Sequence, residues 1–351
     1  MKHSVLALMI PSVLGASAAQ AVSLYDQDGT QLNLNGRVVG LYYGSGDEDS
    51  RGDESYLRVG LDGRTQINNA LYGFGAFEYN LPTSGSDNDE VRQAFAGLGG
   101  DFGAVSYGRQ FGLFSKLNDY TDVLPEFGGD GLGSGADLLG TGRNSGLLQY
   151  NVNYNGLFAG LQYTGQADAQ HQDADSWSKN NGEGYAALLG YDFPEGVSLA
   201  AAYNRVNKTS DQRANASFGG TQDAELTGVG MKYDANRIYA AATYSYGRHH
   251  IYNAEANGFF DKSQGYEAVV QYQLTDAFKP SLAYVRTDVK DASQGIDSTL
   301  TEYVSVGGYY NFKPNVMAYV DYRWNQLSAS EARQFGNTDE DIVAVGLRYD
   351  F

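Results

Sequence analysis

The sequence of 351 residues contains no cysteine and only six prolines. Without cysteine the chain has no disulfides, no thiolate metal sites and no cysteine nucleophile, even though an exported protein could form disulfides. Glycine and tyrosine are instead abundant, with 45 and 28 residues. The mean hydropathy of −0.42 is a polar average, which suits a β-barrel with a wet interior better than a bundle of apolar helices.

Basic residues are also scarce, with 24 lysines and arginines against 42 aspartates and glutamates and a formal charge of −18. A nucleic-acid-binding surface needs clustered basic side chains that contact phosphates. The composition therefore argues against nucleic acid as a partner. It is compatible with acidic loops and with a protein that handles cations.

Long hydrophobic runs are absent after the start of the chain. A membrane-spanning helix needs about 20 apolar residues, and the run from Val5 to Leu14 is too short. Lys2 precedes this run and Ala19-Gln20-Ala21 follows it, which is typical of a secretory signal peptide with an A-x-A cleavage site. We expect residues 1–21 to be a signal peptide. A soluble periplasmic or secreted β protein is the alternative to a membrane protein at this point.

Apolar and polar residues alternate with a period of two. Between residues 57 and 68 the odd-numbered positions are mostly apolar and the even-numbered positions mostly polar. Such alternation predicts a strand with one face in lipid and one in water. Residues 345–351 alternate in the same way and stop on an aromatic, as expected of the strand that closes an outer-membrane barrel. Gly346, Tyr349 and Phe351 are the candidates for a C-terminal barrel assembly signal.

Counting by this rule gives sixteen strands. In the first half of the chain they are predicted near residues 32–43, 55–68, 70–80, 91–99, 103–110, 146–154, 157–165 and 184–193. In the second half they are predicted near residues 196–206, 224–234, 237–247, 264–274, 278–288, 301–312, 315–326 and 341–351. Tight turns alternate with longer polar loops, which is typical of short periplasmic turns and long external loops. The predicted fold class is all-β, with residues 22–351 forming a single domain, a 16-stranded antiparallel transmembrane β-barrel. Fourteen or eighteen strands are the alternatives.

The third external loop is far longer than the others, with roughly 35 residues after the strand at 103–110, and a loop of this length is either disordered or functional. It carries apolar residues that an exposed loop does not need: Phe111, Leu113, Phe114, Leu117, Leu124 and Phe127. Carboxylates give it an acidic edge: Asp119, Asp122, Glu126, Asp130 and Asp137. We expect this third loop to fold into the lumen and narrow the pore. An external loop that covers the mouth is the alternative.

Residues 120–130 read Tyr-Thr-Asp-Val-Leu-Pro-Glu-Phe-Gly-Gly-Asp. This segment closely resembles the third-loop signature of the general diffusion porins of Gram-negative outer membranes, the trimeric enterobacterial-type family. Further matches follow the order and spacing of that family over most of the chain: Leu34 to Leu41, Thr65 to Asn68, Phe77 to Asn80, Ala94 to Leu98, Tyr107 to Arg109, Lys232 to Asn236 and Tyr319 to Tyr322.

The resemblance implies a homotrimer of barrels in which the third loop faces a basic wall across a constriction. The family's loop carboxylates correspond to Asp122, Glu126 and Asp130, and its wall cations correspond to Arg37, Arg58 and Arg92. The alternation independently turns Arg37 and Arg58 toward the lumen, whereas the inward direction of Arg92 rests on the resemblance. Opposed charges across a narrow water path create a transverse field that orients dipolar solutes and penalises apolar ones.

The sequence departs from the family pattern in two places. Between Gly131 and Arg143 there is no clear match for the fourth wall cation of the family. The basic side is therefore weaker, and we expect a pore that favours cations. The second loop, from Leu81 to Glu90, is shorter than in typical relatives, which puts in doubt the latch that this loop makes onto a neighbouring subunit.

These patterns favour a passive general porin for ions and small polar solutes, with a solute-selective channel of the same fold as the alternative. A barrel enzyme needs a nucleophile or a water-activating set. After residue 21 the chain has only His171, His249 and His250, all in predicted loops and none beside a recognisable serine motif. We therefore expect no catalytic residues, no metal site and no cofactor.

The expected location is the outer membrane of a Gram-negative bacterium. The expected partners are two further copies of the chain, outer-membrane lipids and lipopolysaccharide. During export they are periplasmic chaperones and the barrel assembly machinery.

Overall fold

The computed structural model describes residues 21–84, 90–133, 137–168 and 176–351. The first strands are β1 (Val22–Gln27), β2 (Thr30–Ser45), β3 (Gly52–Asp53), β4 (Tyr56–Asn68), β5 (Leu71–Pro82), β6 (Glu90–Gly100), β7 (Gly103–Phe111), β8 (Arg143–Tyr154), β9 (Leu157–Thr164) and β10 (Gly184–Asp192). The remaining strands are β11 (Val197–Val206), β12 (Ala224–Ala235), β13 (Ile238–Arg248), β14 (Tyr252–Asn253), β15 (Gly258–Phe259), β16 (Lys262–Tyr272), β17 (Phe278–Asp291), β18 (Ile296–Lys313), β19 (Val316–Asn325) and β20 (Ile342–Asp350). All of them except the small β14–β15 pair belong to one sheet.

The sheet closes into a barrel at β2. One edge of β2 pairs with β4. On the other edge β1 pairs with residues 30–34 and β20 pairs with residues 37–45. Gly36 and Phe351 join the two pairings through backbone hydrogen bonds of 2.9 and 3.0 Å. Because β1 and β20 together complete one strand and β3 is a two-residue addition, the described residues form a closed antiparallel barrel of sixteen strands. The predicted fold class is confirmed.

Side chains alternate between the two faces of the barrel wall. In β19 the side chains of Val320, Tyr322 and Trp324 are 49%, 40% and 53% exposed on the outer face, whereas Tyr319 and Asp321 between them are buried inside. An apolar outer face suits lipid, and a polar inner face suits a water-filled channel. A slip of one residue would exchange the two faces, so this pattern fixes the strand register.

The predicted strand ranges agree with the observed ones to within three residues, except at the start of β18. The sequence predicts a longer external loop from residue 289 to residue 300. That prediction is wrong, because β17 continues to Asp291, β18 begins at Ile296 and only residues 292–295 connect them. The added strand ends carry polar residues among apolar ones, and Lys290 and Asp297 form an ion pair of 3.0 Å across them. The polar residues interrupt the regular alternation, so the sequence there resembles a loop.

Short helices lie in the described loops: α1 (Ser115–Asn118), a 3-10 helix (Ser176–Lys179), α2 (Ser210–Asn215) and α3 (Ala329–Phe335). Thr209 and Ser328 begin α2 and α3 with capping boxes, which satisfy backbone N–H groups of the first turn. Among the described residues, no helix has the length and apolar character to cross a membrane.

Some predictions fall outside the described residues. These include nearly all of the signal peptide (residues 1–20), residues 85–89 of the second loop, and His171. The signal peptide and the doubtful second-loop latch therefore stay predictions.

Candidate constriction site

The described residues of the third loop, 112–133 and 137–142, lie inside the barrel against its inner wall. Leu113, Phe114 and Leu117 are 2%, 0% and 0% exposed. They pack against a patch of inward-facing wall residues: Ala186, Leu188, Ala200, Ala202, Leu226, Ala241, Val269 and Ala283. Burial of one leucine or phenylalanine side chain is worth about 1.5–3 kcal/mol, so an external position would forfeit several such contributions. The predicted inward fold of this loop is confirmed.

Glycines in the wall allow this close approach. A methyl group at Gly160 would lie 2.8 Å from Leu113, and one at Gly228 would lie 2.6 Å from Phe114. A methyl group at Gly265 would overlap the carbonyl oxygen of Gly131 in the third loop. Glycine inside a strand often marks a place where another backbone comes close. These inward-facing glycines form the seat of the third loop.

Two wall carboxylates hold the backbone of the third loop. The Glu267 carboxylate accepts hydrogen bonds from the N–H groups of Gly129 and Gly131 at 2.8 and 3.2 Å. The Asp321 carboxylate accepts from the N–H groups of Glu126 and Phe127, both at 3.1 Å. The alternation predicts Glu267 and Asp321 only as inward-facing residues. Their role is visible only once strands more than 130 residues away meet the loop.

Tyrosine hydroxyl groups supply a second set of contacts to this loop. Tyr43 and Tyr319 donate to the two carboxylate oxygens of Glu126 at 2.7 and 2.8 Å. Tyr303 donates to Asp130 at 2.9 Å. Glu126 is thereby directed to the wall between β2 and β19 and is half-buried. The abundance of tyrosine in the sequence does not by itself identify these contacts between the loop and strands far away in the chain.

Asp122 is exposed, as is Asp130, whereas Glu126 is half-buried. Loop and wall nevertheless limit the access of Asp122 to bulk water. This partial desolvation, together with repulsion from Asp119 and Asp130, raises the pKa of Asp122 to about 6, against the opposing attraction of Arg92 and Arg58. Those opposing charges indicate that Asp122 lies near the basic wall.

Two of the five acids on the predicted acidic edge have cationic partners. Asp119 pairs with Lys116 of the same loop at 3.2 Å. Asp137 pairs with Arg109 and Arg143, both at 3.0 Å. The unpaired negative charge of the loop is therefore concentrated in its middle part rather than along its whole edge.

The three predicted wall cations lie on one side of the barrel wall, on β2, β4 and β6, with β5 between the last two. Arg37 of β2 and Arg58 of β4 are cross-strand partners. Arg37 lies 3.6 Å from Asp350, and the Arg58 Nε donates to the neutral side chain of Asn80 at 3.2 Å. Arg92 of β6 forms a short ion pair of 2.5 Å with Glu78.

Arg92 occupies a β-bulge. Glu78 of β5 pairs with Gln93, while the next residue of β5 pairs with Val91, so Arg92 has no partner in the register. A bulge locally breaks the period of two and re-aims a side chain. This explains why alternation alone does not indicate the direction of Arg92.

The predicted C-terminal signal residues lie on or directly after β20. The Tyr349 side chain is 47% exposed on the outer face. Gly346 leaves room for the inward-facing ring of Tyr319, and the Phe351 ring lies against Gly36. These positions concern barrel closure, and the assembly role of the three residues stays a prediction.

The family model described as Gram-negative porin matches residues 27–351. The chain belongs to the Gram-negative porin family. It is 40% identical to outer membrane porin C of Salmonella typhimurium and 38% identical to outer membrane protein F of Serratia marcescens, in each case over 100% of both chains. The structure of Salmonella typhi OmpF in complex with daunomycin is similar with a TM-score of 0.86 and 33% identity, covering 94% of this chain and 100% of that one. This porin is thus an outer-membrane channel of a Gram-negative bacterium, and its relatives are passive channels rather than enzymes.

The wall of the porin also holds an ion-pair cluster that links Arg92 to the end of the third loop. Its members alternate in charge and are Glu78, Arg92, Glu90, Arg143, Asp137 and Arg109. Glu90, the first residue of β6, is the member with the most partners. The sequence pattern does not reveal this cluster, because its residues come from four strands and a loop.

The histidine pair of the porin, His249 and His250, lies in a packed loop. His250 is fully buried, and its burial and the nearby Lys208 lower its pKa to about 3. The Nδ1 atom of His249 lies 3.8 Å from Asp261. Within the described ranges, no cluster of three histidine, aspartate or glutamate side chains is arranged to hold a metal ion.

Proposed function

We propose that this porin is a passive, cation-preferring channel for ions and small hydrophilic solutes, with the third loop and the arginines of the wall forming its constriction. The observation that carries the proposal is that nearby carboxylates neutralise more of the positive charge of the wall than nearby cations neutralise of the negative charge of the third loop. Two of the three wall arginines, Arg37 and Arg92, lie against carboxylates of the wall, whereas Asp122 is exposed without an ion pair in the described part of the chain.

The pairing reduces the positive field of the wall. Arg37 shares Asp350 with Arg348, at 3.6 and 2.8 Å. Arg92 has Glu78 at 2.5 Å and Glu90 at 3.5 Å. Arg92 therefore contributes little net charge to the water path, because the fields of an arginine and its carboxylates largely cancel a few ångströms away. Asp350 cancels one of the two positive charges of Arg37 and Arg348.

The loop side keeps more of its charge. Glu126 and Asp130 accept hydrogen bonds from neutral tyrosines, which do not cancel a negative charge. Together with Asp122 they present carboxylates to the path without a cation in the ion-pair network. A water-filled pore lined in this way concentrates cations and retains a transverse field toward Arg58.

The test is the reversal potential of purified porin in planar bilayers under a salt gradient. We expect the wild type to favour cations. Neutralising one charge about 6 Å from the path changes the occupancy of each ion about threefold in water, in opposite directions for cations and anions. Asp122→Asn should therefore lower the cation-to-anion permeability ratio by up to about tenfold. Arg58→Gln should raise the ratio. Asp211→Asn, in the external helix α2, is the matched control and should change nothing.

An anion-preferring or non-selective wild type would contradict the proposal, as would an Asp122→Asn variant that behaves like Asp211→Asn. The first result would mean that the wall arginines dominate despite their partners. The second would remove Asp122 from the constriction.

We also infer a homotrimer, as the family resemblance implies. Conductance that increases in groups of three equal steps would support it, and single independent steps would count against it. Binding of lipopolysaccharide and outer-membrane lipids, and passage through periplasmic chaperones and the barrel assembly machinery, remain expectations of the same kind.

The alternative of a solute-selective channel calls for a row of aromatic rings along an open path. The inward tyrosines are instead used by the third loop, because Tyr303 contacts Asp130 and Tyr309 donates to the carbonyl oxygen of Leu124 at 2.5 Å. This use of their hydroxyl groups favours general diffusion.

A further inference from the structure

Glu90 is in contact with three guanidinium groups. Its carboxylate lies 2.6 Å from Arg143, 3.5 Å from Arg92 and 3.8 Å from Arg109. Its side chain is 23% exposed, and those of the three arginines are 13–16% exposed. The carboxylate is therefore partly shielded from bulk water, in a place where charges act on each other more strongly than on a free surface.

The cluster around Glu90 is electrically balanced. It contains three arginines, which stay protonated at any physiological pH, and three carboxylates, of Glu78, Glu90 and Asp137. One end of the cluster is Arg92, a wall cation of the proposed constriction. The other end is Asp137, in the returning part of the third loop. A change in any member alters the net charge beside the path by one unit.

We propose that Glu90 is a selectivity-determining residue of this porin, because its single carboxylate cancels the excess charge of three arginines and keeps the basic wall from attracting anions. This inference rests on the proposed cation preference and names the residue that maintains it. Glu90 is outside the set of wall cations and loop acids that the family resemblance indicates.

Glu90 suits this role better than the other two acids of the cluster. Of the three arginines of the cluster, Glu78 pairs with Arg92, and Asp137 pairs with Arg109 and Arg143, among the described residues. Only the Glu90 carboxylate reaches all three arginines in the described part of the chain. Its loss leaves Arg92 with Glu78 and leaves Arg109 and Arg143 to share Asp137, so one positive charge is uncompensated.

A merely structural role of Glu90 would affect channel measurements in a different way from an electrostatic role. The contacts from Glu90 through Arg143 to Asp137 also tie the third loop to the wall, and losing them could loosen the loop. A loosened loop would change the width of the path, and that effect persists in 1 M salt. An electrostatic effect disappears there, because the Debye length falls to about 3 Å.

The experiment compares Glu90→Gln, Arg143→Gln and the double variant by reversal potential in dilute salt and by conductance in 1 M salt. Glu90→Gln should lower the cation-to-anion permeability ratio by up to about fourfold, as expected for a unit charge about 10 Å from the path that acts oppositely on cations and anions. Arg143→Gln should raise the ratio. The double variant restores balance, with two arginines facing two carboxylates, and should return to the wild-type ratio. Glu195→Gln, in an exposed turn, is the control of equal charge change.

Opposite shifts that cancel in the double variant, with unchanged conductance in 1 M salt, support the proposal. Shifts of the same sign, a double variant that does not return to the wild-type ratio, or a changed conductance in 1 M salt overturn it. If Glu90→Gln does not assemble, the test depends on Arg143→Gln. A cation-to-anion permeability ratio of that variant that does not exceed the wild-type ratio overturns the proposal. A wild type without cation preference defeats the proposed function, whereas the differences between variants and wild type decide the role of Glu90.

Discussion

At the scale of single residues, the charge state of Asp122 links the channel to external pH. Its carboxyl has a pKa of about 6, raised by partial desolvation and by the neighbouring Asp119 and Asp130. The carboxyl is negative above this pKa and neutral below it, while the wall arginines stay positive at both. Cation preference should therefore fall as the pH is lowered from 7.5 to 5. Reversal potentials at a series of pH values measure this change.

Asp122→Asn is the control for this titration. The variant should show no step near pH 6. Desolvation also raises the pKa of Glu126 and of Asp130, so changes that these carboxyls cause should remain in the variant. A step near pH 6 that persists in Asp122→Asn would assign the titration to another group.

The residues of the proposed constriction differ in how far the sequence could reveal them. Arg37 and Arg58 follow from the period of two, because each lies in a regular part of its strand. Arg92 does not, because the bulge between Val91 and Gln93 shifts the period by one residue. The family resemblance still identifies Arg92, since it depends on position in the chain rather than on the direction of a side chain.

At the scale of the structural element, the third loop and its glycine seat form one unit. Gly265→Ala should displace the loop, because the added methyl group would overlap the Gly131 carbonyl oxygen and the hydrogen-bonded wall cannot yield. Overpacking of this kind costs about 1–3 kcal/mol. The loop should move toward the centre of the lumen, and single-channel conductance should fall.

Gly73→Ala is the matched control, because a methyl group there meets its nearest neighbours at ordinary distances of 3.8 and 3.9 Å. Its conductance should equal that of the wild type. If Gly265→Ala also conducts like the wild type, the backbone of the loop is not seated on β16 as described.

The loop itself could be predicted, whereas its seat could not. Apolar residues such as Leu113 and Phe114 in a long polar loop predict burial against something. The partners Glu267 and Asp321 are recognisable as inward-facing acids, but their hydrogen bonds to loop N–H groups span more than 130 residues of chain. No local pattern encodes such a distance.

At the scale of the whole molecule, closure depends on the two ends of the described chain meeting at β2. Phe351 joins them through its backbone bonds to Gly36 and through its ring. Phe351→Ala should lower the stability of the barrel by about 1–2 kcal/mol, less than full burial of the ring would give. The fraction of folded barrel, measured by electrophoresis of unheated samples after refolding, should decrease.

Phe102→Ala is the comparison, since Phe102 is a 49% exposed aromatic in the turn between β6 and β7. It should fold like the wild type. Equal folding of both variants would mean that the backbone bonds alone close the barrel and that the Phe351 ring contributes nothing to closure.

The long hairpin of β17 and β18 has a consequence for the cell surface. A strand of 18 residues is about 60 Å long at about 3.3 Å per residue, and a tilt of about 40° leaves about 45 Å of height against an apolar band of about 25 Å. The hairpin therefore extends above the lipid as a rigid projection. The Asp291 carboxylate stabilises its tip by accepting hydrogen bonds from the N–H groups of Ser293 and Gln294 at 2.9 and 3.1 Å. A peptide grafted between these two residues would be displayed at a fixed height over the bacterial surface.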